Sequence, residues 1–160
     1  MSFPSLINIK IAYDFLISGQ AEPLLARLRR LARNAHRLLL NLCHRHQPPP
    51  NLLRINTAEP KSPIIPVFTS LPRGLAKYCQ DRGFMIRPIV PPTVPKGKER
   101  IRICLHAGNT EEEVRGLVGA MEDWVIGWML GINTPEHVDQ EDISRLLLTL
   151  KEGKREKGKL

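Results

Sequence analysis

The sequence predicts an α+β fold in which helices cover one face of a small, mostly antiparallel sheet. Three observations support this prediction: leucines at helical spacing over a long stretch, three short apolar segments separated by proline and glycine, and a capping motif before a last helix. The predicted order of elements is α–β–α–β–β–α. A chain of 160 residues is long enough for one domain of ordinary size.

The first and clearest helix is predicted over residues 22–44. Its apolar positions recur at helical spacing, at Leu24, Leu28, Leu31, Ala35, Leu38, Leu39 and Leu42. Pro23 suits the first turn, where its missing N–H costs no hydrogen bond. The three prolines at 48–50 end the helix and begin an extended connection that runs to about residue 62.

Three strands and a second helix follow. The segment 62–68 predicts a strand in which Pro66 indicates a sheet edge or a strand end. Residues 71–82 predict a helix stopped by Gly83, and 84–90 predict a strand broken at Pro88. A loop with three prolines covers 91–99, and the segment 100–105 alternates polar and apolar residues as a strand does.

The last predicted helix opens at a capping box formed by Thr110 and Glu113. These elements place one domain at residues 21–130, with a poorly assigned segment at 1–20. Residues 131–160 form an extension, in which 141–150 predict a short helix and the basic tail 151–160 predicts disorder.

The net charge of +8 is concentrated in two places. Residues 27–45 carry six arginines and no acid (Arg27, Arg29, Arg30, Arg33, Arg37 and Arg45), and the tail is also basic. A nucleic-acid surface over the whole body is therefore not indicated. Apolar runs too short to span a bilayer, the lack of a basic start before the first apolar run, and three scattered cysteines predict an intracellular, cytoplasmic protein without disulfides.

One ordered motif carries a resemblance to a known family. It consists of a strand, then Pro-Pro-Thr-Val-Pro at 91–95, a turn containing Gly97, the Arg-Ile-Arg of 100–102, and the capped start of a helix at 109–113. The stretch resembles the C-terminal small domain of the α-oxoamine synthases, fold-type-I pyridoxal-phosphate enzymes, and within them the 8-amino-7-oxononanoate synthase-like branch. The similarity is plain over about residues 60–128.

The resemblance implies a function. Enzymes of this family condense an acyl-CoA with a small amino acid on pyridoxal 5′-phosphate and release carbon dioxide, in the biotin pathway for this branch. By position in the motif, Arg102 corresponds to the arginine that binds the amino-acid carboxylate, and Thr93 corresponds to a substrate-contacting threonine. A guanidinium can hold a carboxylate through two parallel hydrogen bonds.

Two departures from the family pattern bear on activity. Val90 stands where bacterial relatives commonly have arginine, so the contact to the acyl end is in doubt, and Asn109 replaces a histidine. The lysine that forms the internal Schiff base lies, in the family, about a hundred residues upstream of the Pro-Pro-Thr loop. We therefore expect no catalytic residue, no bound cofactor and no metal in this chain alone, and a large cofactor-binding domain or a homodimer partner to complete it.

Several alternatives remain open at this stage. Arg102 could be a surface residue paired with Glu99 or Glu112, and Thr93 a turn residue. We expect His106 to be a partly buried histidine with a hydrogen bond. Cys43, His44 and His46 form a weak metal-binding pattern. The chain as a whole could be a non-catalytic remnant or interaction module, or its basic helix could bind nucleic acid or acidic partners.

Overall fold

The computed structural model describes residues 3–131 and confirms the α+β class. Over this range the elements are α1 (Phe3–Ile17), α2 (Glu22–His46), β1 (Arg54–Ile55), β2 (Ile64–Phe68), α3 (Pro72–Gln80), β3 (Arg87–Ile89), β4 (Arg100–Cys104) and α4 (Glu111–Met129). The helix predicted at 141–150 and the predicted disordered tail lie outside the described residues. No helix within 3–131 has the length and apolar character needed to cross a membrane.

The four strands form one sheet in the order β1-β2-β4-β3, and every neighbouring pair is antiparallel. Alternate residues of the two central strands are buried: Ile65 and Val67 in β2, Ile101 and Ile103 in β4. Because side chains alternate across a strand, these four residues lie on one face of the sheet. That face is covered by the helices, with α2 contacting β1 and β2, and α3 contacting β3 and β4.

The core lies between this covered face and the helices. Leu39 and Leu42 of α2, and Met121, Trp124 and Val125 of α4, are fully or almost fully buried. They join the buried strand residues and the α3 residues in one apolar cluster. Burial of each such side chain contributes roughly 1.5–3 kcal/mol, so this cluster is the main source of stability.

The apolar stripe predicted for α2 is buried only in its second part. Burial begins at Leu31, whereas Leu24 is 48% exposed and Leu28 is half-buried. The first two turns of α2 therefore extend past the edge of the core. The predicted helix is correct in type and in start, and it ends two residues later than predicted, at His46.

The proline-based expectations for two strands need correction. β2 is a central strand, but β1 pairs only with its last two residues, Val67 and Phe68. Pro66 therefore has a strand neighbour on one side only, in β4. At this position β2 has a free edge, where a residue without an N–H is tolerated. Pro88 does not break its strand but lies inside β3, which is an edge strand and tolerates the missing N–H.

The structure adds two elements that the sequence analysis did not assign. β1 is a two-residue strand inside the predicted extended connection. α1 occupies much of the unassigned segment 1–20, and its large apolar side chains are exposed: Leu6, Ile7, Ile9, Ile11, Tyr13, Phe15, Leu16 and Ile17. Its one ion pair joins Lys10 to Asp14 within the helix.

Candidate functional site

The predicted substrate-binding arginine lies on the face of the sheet opposite the helices, which we call the open face. The register places its side chains in three rows across the strands, because directly opposite residues of antiparallel strands share a face. The rows are Arg54, Phe68, Arg100 and Ile89, then Pro66, Arg102 and Arg87, then Ile64 and Cys104. The open face thus carries four arginines beside apolar side chains.

Two of these arginines stack on one aromatic ring. The guanidinium carbon of Arg54 lies 4.3 Å from the centre of the Phe68 ring, and that of Arg100 lies 5.0 Å from it. Arg100 Nε also donates a hydrogen bond to the Lys98 carbonyl oxygen at 3.0 Å. Each cation–π contact at an exposed site contributes about 0.5–1 kcal/mol, so the ring orders both guanidinium groups.

Arg102 has a different environment. It is exposed at the middle of β4, between Pro66 of β2 and Arg87 of β3. Among the residues described, no hydrogen bond or ion pair joins its guanidinium to another side chain. Glu112 was one of the two acids considered as partners if Arg102 were only a surface residue. It pairs instead with Arg115 at 2.9 Å.

Thr93 lies in the loop between β3 and β4 and is exposed. Its backbone N–H donates to the Val90 carbonyl oxygen at 3.0 Å, which closes a turn around the cis Pro91–Pro92 bond. The loop leaves the sheet at the row of Ile89 and Arg100, and Arg102 stands in the next row. Thr93 thus belongs to the loop beyond the first row and Arg102 to the second row, and no hydrogen bond joins the two within the described residues.

A separate cavity of about 320 Å³ lies between residues 83–86 and the start of α4. Neither predicted substrate-binding residue lines it. His106, Asn109 and Glu113 form its polar side. His106 is exposed, not partly buried as expected, because it follows the end of β4, and its Nδ1 accepts a hydrogen bond from the Gly108 N–H at 3.2 Å.

Some of the α2 arginines make contacts within the fold. Arg45 pairs with Glu122 of α4 at 3.1 Å, and His46 contacts the same carboxylate. Arg27 donates to the Asn109 carbonyl oxygen at 3.2 Å. These contacts tie α2 to α4 and to the loop before it. The weak metal pattern at Cys43, His44 and His46 gains no further ligand in the part of the chain that the structure describes.

The three cysteines are free thiols and differ in burial. Burial raises the pKa of the Cys79 thiol to about 12, against a smaller opposing effect of the Arg82 charge. Burial also raises the pKa of Cys43. Because the thiolate is the reactive form, burial lowers the reactivity of both thiols, whereas Cys104 is exposed on the open face.

The described residues do not fit a resident pyridoxal phosphate. A Schiff-base lysine must lie in a pocket that lowers its pKa, through burial or a neighbouring cation. The lysines at 10, 61, 77, 96 and 98 are all exposed, and Lys77 is occupied by Asp81 at 3.0 Å. None of these described lysines is therefore placed to form a Schiff base with the cofactor.

Two residues of the open face were missed by the sequence analysis as participants in a site. Arg87 was not singled out there, and Phe68 was included only as the last residue of the strand predicted at 62–68. The alternation of β3 and β4 was visible in the sequence, but the pairing that sets Arg87 opposite Arg102 was not. Strand register depends on partners distant in sequence.

Comparison with known proteins identifies the relatives of the chain. No family model matches the sequence. The 8-amino-7-oxononanoate synthase of Emericella nidulans is 42% identical over 125 residues, 78% of this chain and 29% of that protein. The enzymes of the same name from Anaeromyxobacter dehalogenans and Methylocella silvestris are each 37% identical, over 92 and 70 residues, which are 56% and 42% of this chain and 23% and 20% of theirs.

The chain thus spans at most about three tenths of the length of these relatives. The identity nevertheless extends over most of the chain in the first of them, well beyond the Pro-Pro-Thr loop and the Arg-Ile-Arg strand that carried the resemblance. The chain is therefore related to part of the 8-amino-7-oxononanoate synthases, which confirms the family predicted from its sequence.

Proposed function

We propose that the chain is the substrate-binding part of a pyridoxal-phosphate-dependent acyltransferase of the 8-amino-7-oxononanoate synthase type. In this proposal residues 21–130 form its small domain. Arg102 binds the carboxylate of a small amino acid, and the Thr93 hydroxyl contacts the same substrate. The relatives carry this enzyme name, and it implies a transferase of biotin biosynthesis that uses an acyl-CoA.

The observation that carries the proposal is the free guanidinium of Arg102. Several other arginines of the described chain are paired or stacked: Arg45 with Glu122, Arg115 with Glu112, and Arg54 and Arg100 on Phe68. Arg102 has no such partner among residues 3–131, and it projects from a rigid central strand. A planar donor fork held by a strand is suited to fix the plane of a carboxylate.

The cofactor would supply the electron sink for the reaction and would come from outside the described residues. The part of the reaction assigned to this chain is binding and orientation. Arg102 would fix the carboxylate end of the amino acid, and Thr93 would limit its rotation. Orientation of this kind lowers the entropic part of the barrier.

Binding of L-alanine to the full chain tests this assignment, with alaninamide, which lacks the carboxylate, as the control ligand. We expect L-alanine to shift the Arg102 Nε–Hε resonance in NMR spectra at millimolar concentration, and alaninamide to leave it in place. Arg102→Lys should abolish the shift that L-alanine also causes at the Thr93 amide resonance, because an ammonium lacks the planar fork. Arg54→Lys, on the same face, is the matched control; an equal loss there, or no effect of Arg102→Lys, would refute the assignment.

A second part of the proposal concerns α1. A helix that is apolar on all sides is normally buried on all sides, yet its large apolar residues are exposed. We propose that α1 contacts a further protein surface, equivalent to the part of the relatives that the chain does not match. If the chain is instead a non-catalytic interaction module, it would use the same helix without binding amino acids.

Co-expression with the non-matching part of the Emericella nidulans enzyme tests the role of α1. We expect the two polypeptides to co-elute on size exclusion, and Ile11→Lys to separate them. Met85→Lys is the control, because Met85 is 82% exposed and belongs to the connection between α3 and β3. A complex insensitive to Ile11→Lys would exclude α1 from the contact, and self-association of the chain alone would favour a homodimer.

A further inference from the structure

Two arginines stand directly opposite each other in neighbouring strands of the open face, with no acid in their row. Arg87 of β3 lies directly opposite Arg102 of β4, and both are exposed. Directly opposite residues in an antiparallel pair have Cα atoms about 4.5–5.5 Å apart and project side by side. Like charges in this position destabilise the pair, so the arrangement needs an explanation.

No side chain of the described residues neutralises this pair. The third residue of the row is Pro66, and the nearest acid in sequence, Glu99, is buried. Most other described acids are held by other cations or by the α4 cap: Asp14 by Lys10, Glu59 by Arg33, Asp81 by Lys77, Glu111 and Glu112 by Arg115, Glu122 by Arg45, and Glu113 by Thr110 and Asn109. The remaining two, Glu22 and Asp123, belong to the helices α2 and α4 and not to the sheet. The two positive charges are left to a ligand.

We infer that Arg87 and Arg102 together bind one small, doubly charged oxyanion, either a phosphate group or two carboxylates on neighbouring carbons or on one carbon. Each guanidinium presents a fork of N–H donors that matches such oxygens. One dianion between the two forks would replace the like-charge repulsion with two attractive contacts. The inference rests on the proposed function for Arg102 and adds Arg87 as a specificity-determining residue of the same site.

The pairing makes a definite claim about selectivity. An arginine acting alone should bind a monocarboxylate and a dianion with similar affinity, whereas two adjacent arginines should favour the dianion. Val90 stands next to the Pro-Pro-Thr loop, at a position that offers no charge. In this chain the second positive charge therefore comes from Arg87, on the neighbouring strand.

Titration of the full chain with acetate, malonate and inorganic phosphate tests the inference at slightly alkaline pH and low salt. The readouts are the Nε–Hε resonances of Arg87 and Arg102. We expect both to shift with at least one dianion, which should bind roughly tenfold more tightly than acetate, a difference of about 1.4 kcal/mol. Binding of malonate but not phosphate would identify a dicarboxylate site, and binding of phosphate but not malonate would identify a phosphate site. Binding of both would show that the site selects its ligand by charge.

Three variants with the same change in net charge complete the experiment. Arg87→Gln should lose the preference for the dianion and keep weak acetate binding, Arg102→Gln should lose both, and Arg54→Gln should behave as the unmodified chain. Dianion binding unaffected by Arg87→Gln would overturn the inference while leaving the role of Arg102 intact. Binding unaffected by Arg102→Gln, or no binding by any anion, would overturn the inference together with the proposed carboxylate site.

Discussion

The Thr110 hydroxyl accepts the backbone N–H of Glu113 at 3.1 Å, while the Glu113 carboxylate accepts the backbone N–H of Thr110 at 3.0 Å. The pair is the capping box predicted from the sequence, and it satisfies two N–H groups that the start of α4 would otherwise leave unpaired. Because α4 contacts both α2 and α3, this local pairing anchors the layer of helices on the sheet.

Removal of the cap should weaken the whole domain. We expect Thr110→Ala to lower the free energy of unfolding by about 1 kcal/mol, because an unpaired N–H remains at the helix start. Thr110→Ser keeps the accepting hydroxyl and should restore most of the loss. Urea unfolding followed by circular dichroism measures both variants, and equal stability of the alanine and serine variants would show that the cap contributes nothing.

The same cap predicts a dependence of stability on pH. The hydrogen bond from the Thr110 backbone lowers the pKa of Glu113, and the Asn109 amide and the charge of His106 lower it further. A carboxyl whose pKa is lower in the folded state stabilises the fold above its unfolded pKa, about 4.3, and loses this contribution as the pH falls through its folded pKa.

We therefore expect Glu113→Gln to be less stable than the unmodified chain near neutral pH, with the gap closing below about pH 4. The glutamine keeps one oxygen for the cap but cannot titrate. Urea midpoints measured across this range for both proteins provide the test. A gap that stays constant from neutral to acid pH would mean that ionised Glu113 is not stabilised by folding.

The two ends of α2 should respond differently to truncation of a leucine. Leu39 is fully buried, so Leu39→Ala should lower the free energy of unfolding by about 2–5 kcal/mol. Leu24 is 48% exposed, and Leu24→Ala should change the free energy of unfolding by less than about 0.5–1 kcal/mol. Chemical denaturation of the two variants measures the contrast, and similar losses would contradict the position of α2 on the sheet.

The Arg87–Arg102 pair predicts a stabilising substitution. In the absence of added anions, Arg87→Gln should raise the thermal midpoint at low salt, because it removes a like charge directly opposite Arg102. The increase should shrink at high salt, where exposed charges are screened. Arg37→Gln, on the exposed side of α2, is the control; a salt-independent gain for Arg87→Gln would point to strand propensity instead of charge.

Much of the fold followed from local patterns in the sequence. The leucine spacing of α2, the alternation of β4 and the capping box of α4 each lie within one element, and each was predicted in type and approximate position. Helix periodicity, strand alternation and caps are properties of short segments, because their spacing is set by the backbone geometry of the element itself.

The tertiary structure decided the features that depend on distant partners. These include the short strand β1, which exists only because β2 lies beside it, and the exposure of Leu24, which lies beyond the edge of the sheet. The proposed site likewise has residues that a local motif indicates and a residue that only strand pairing brings in. Arg102 and Thr93 were visible as a motif in the chain, whereas Arg87 entered through the register of β3 against β4. Register is determined by burial and pairing across the whole sheet, which no single segment encodes.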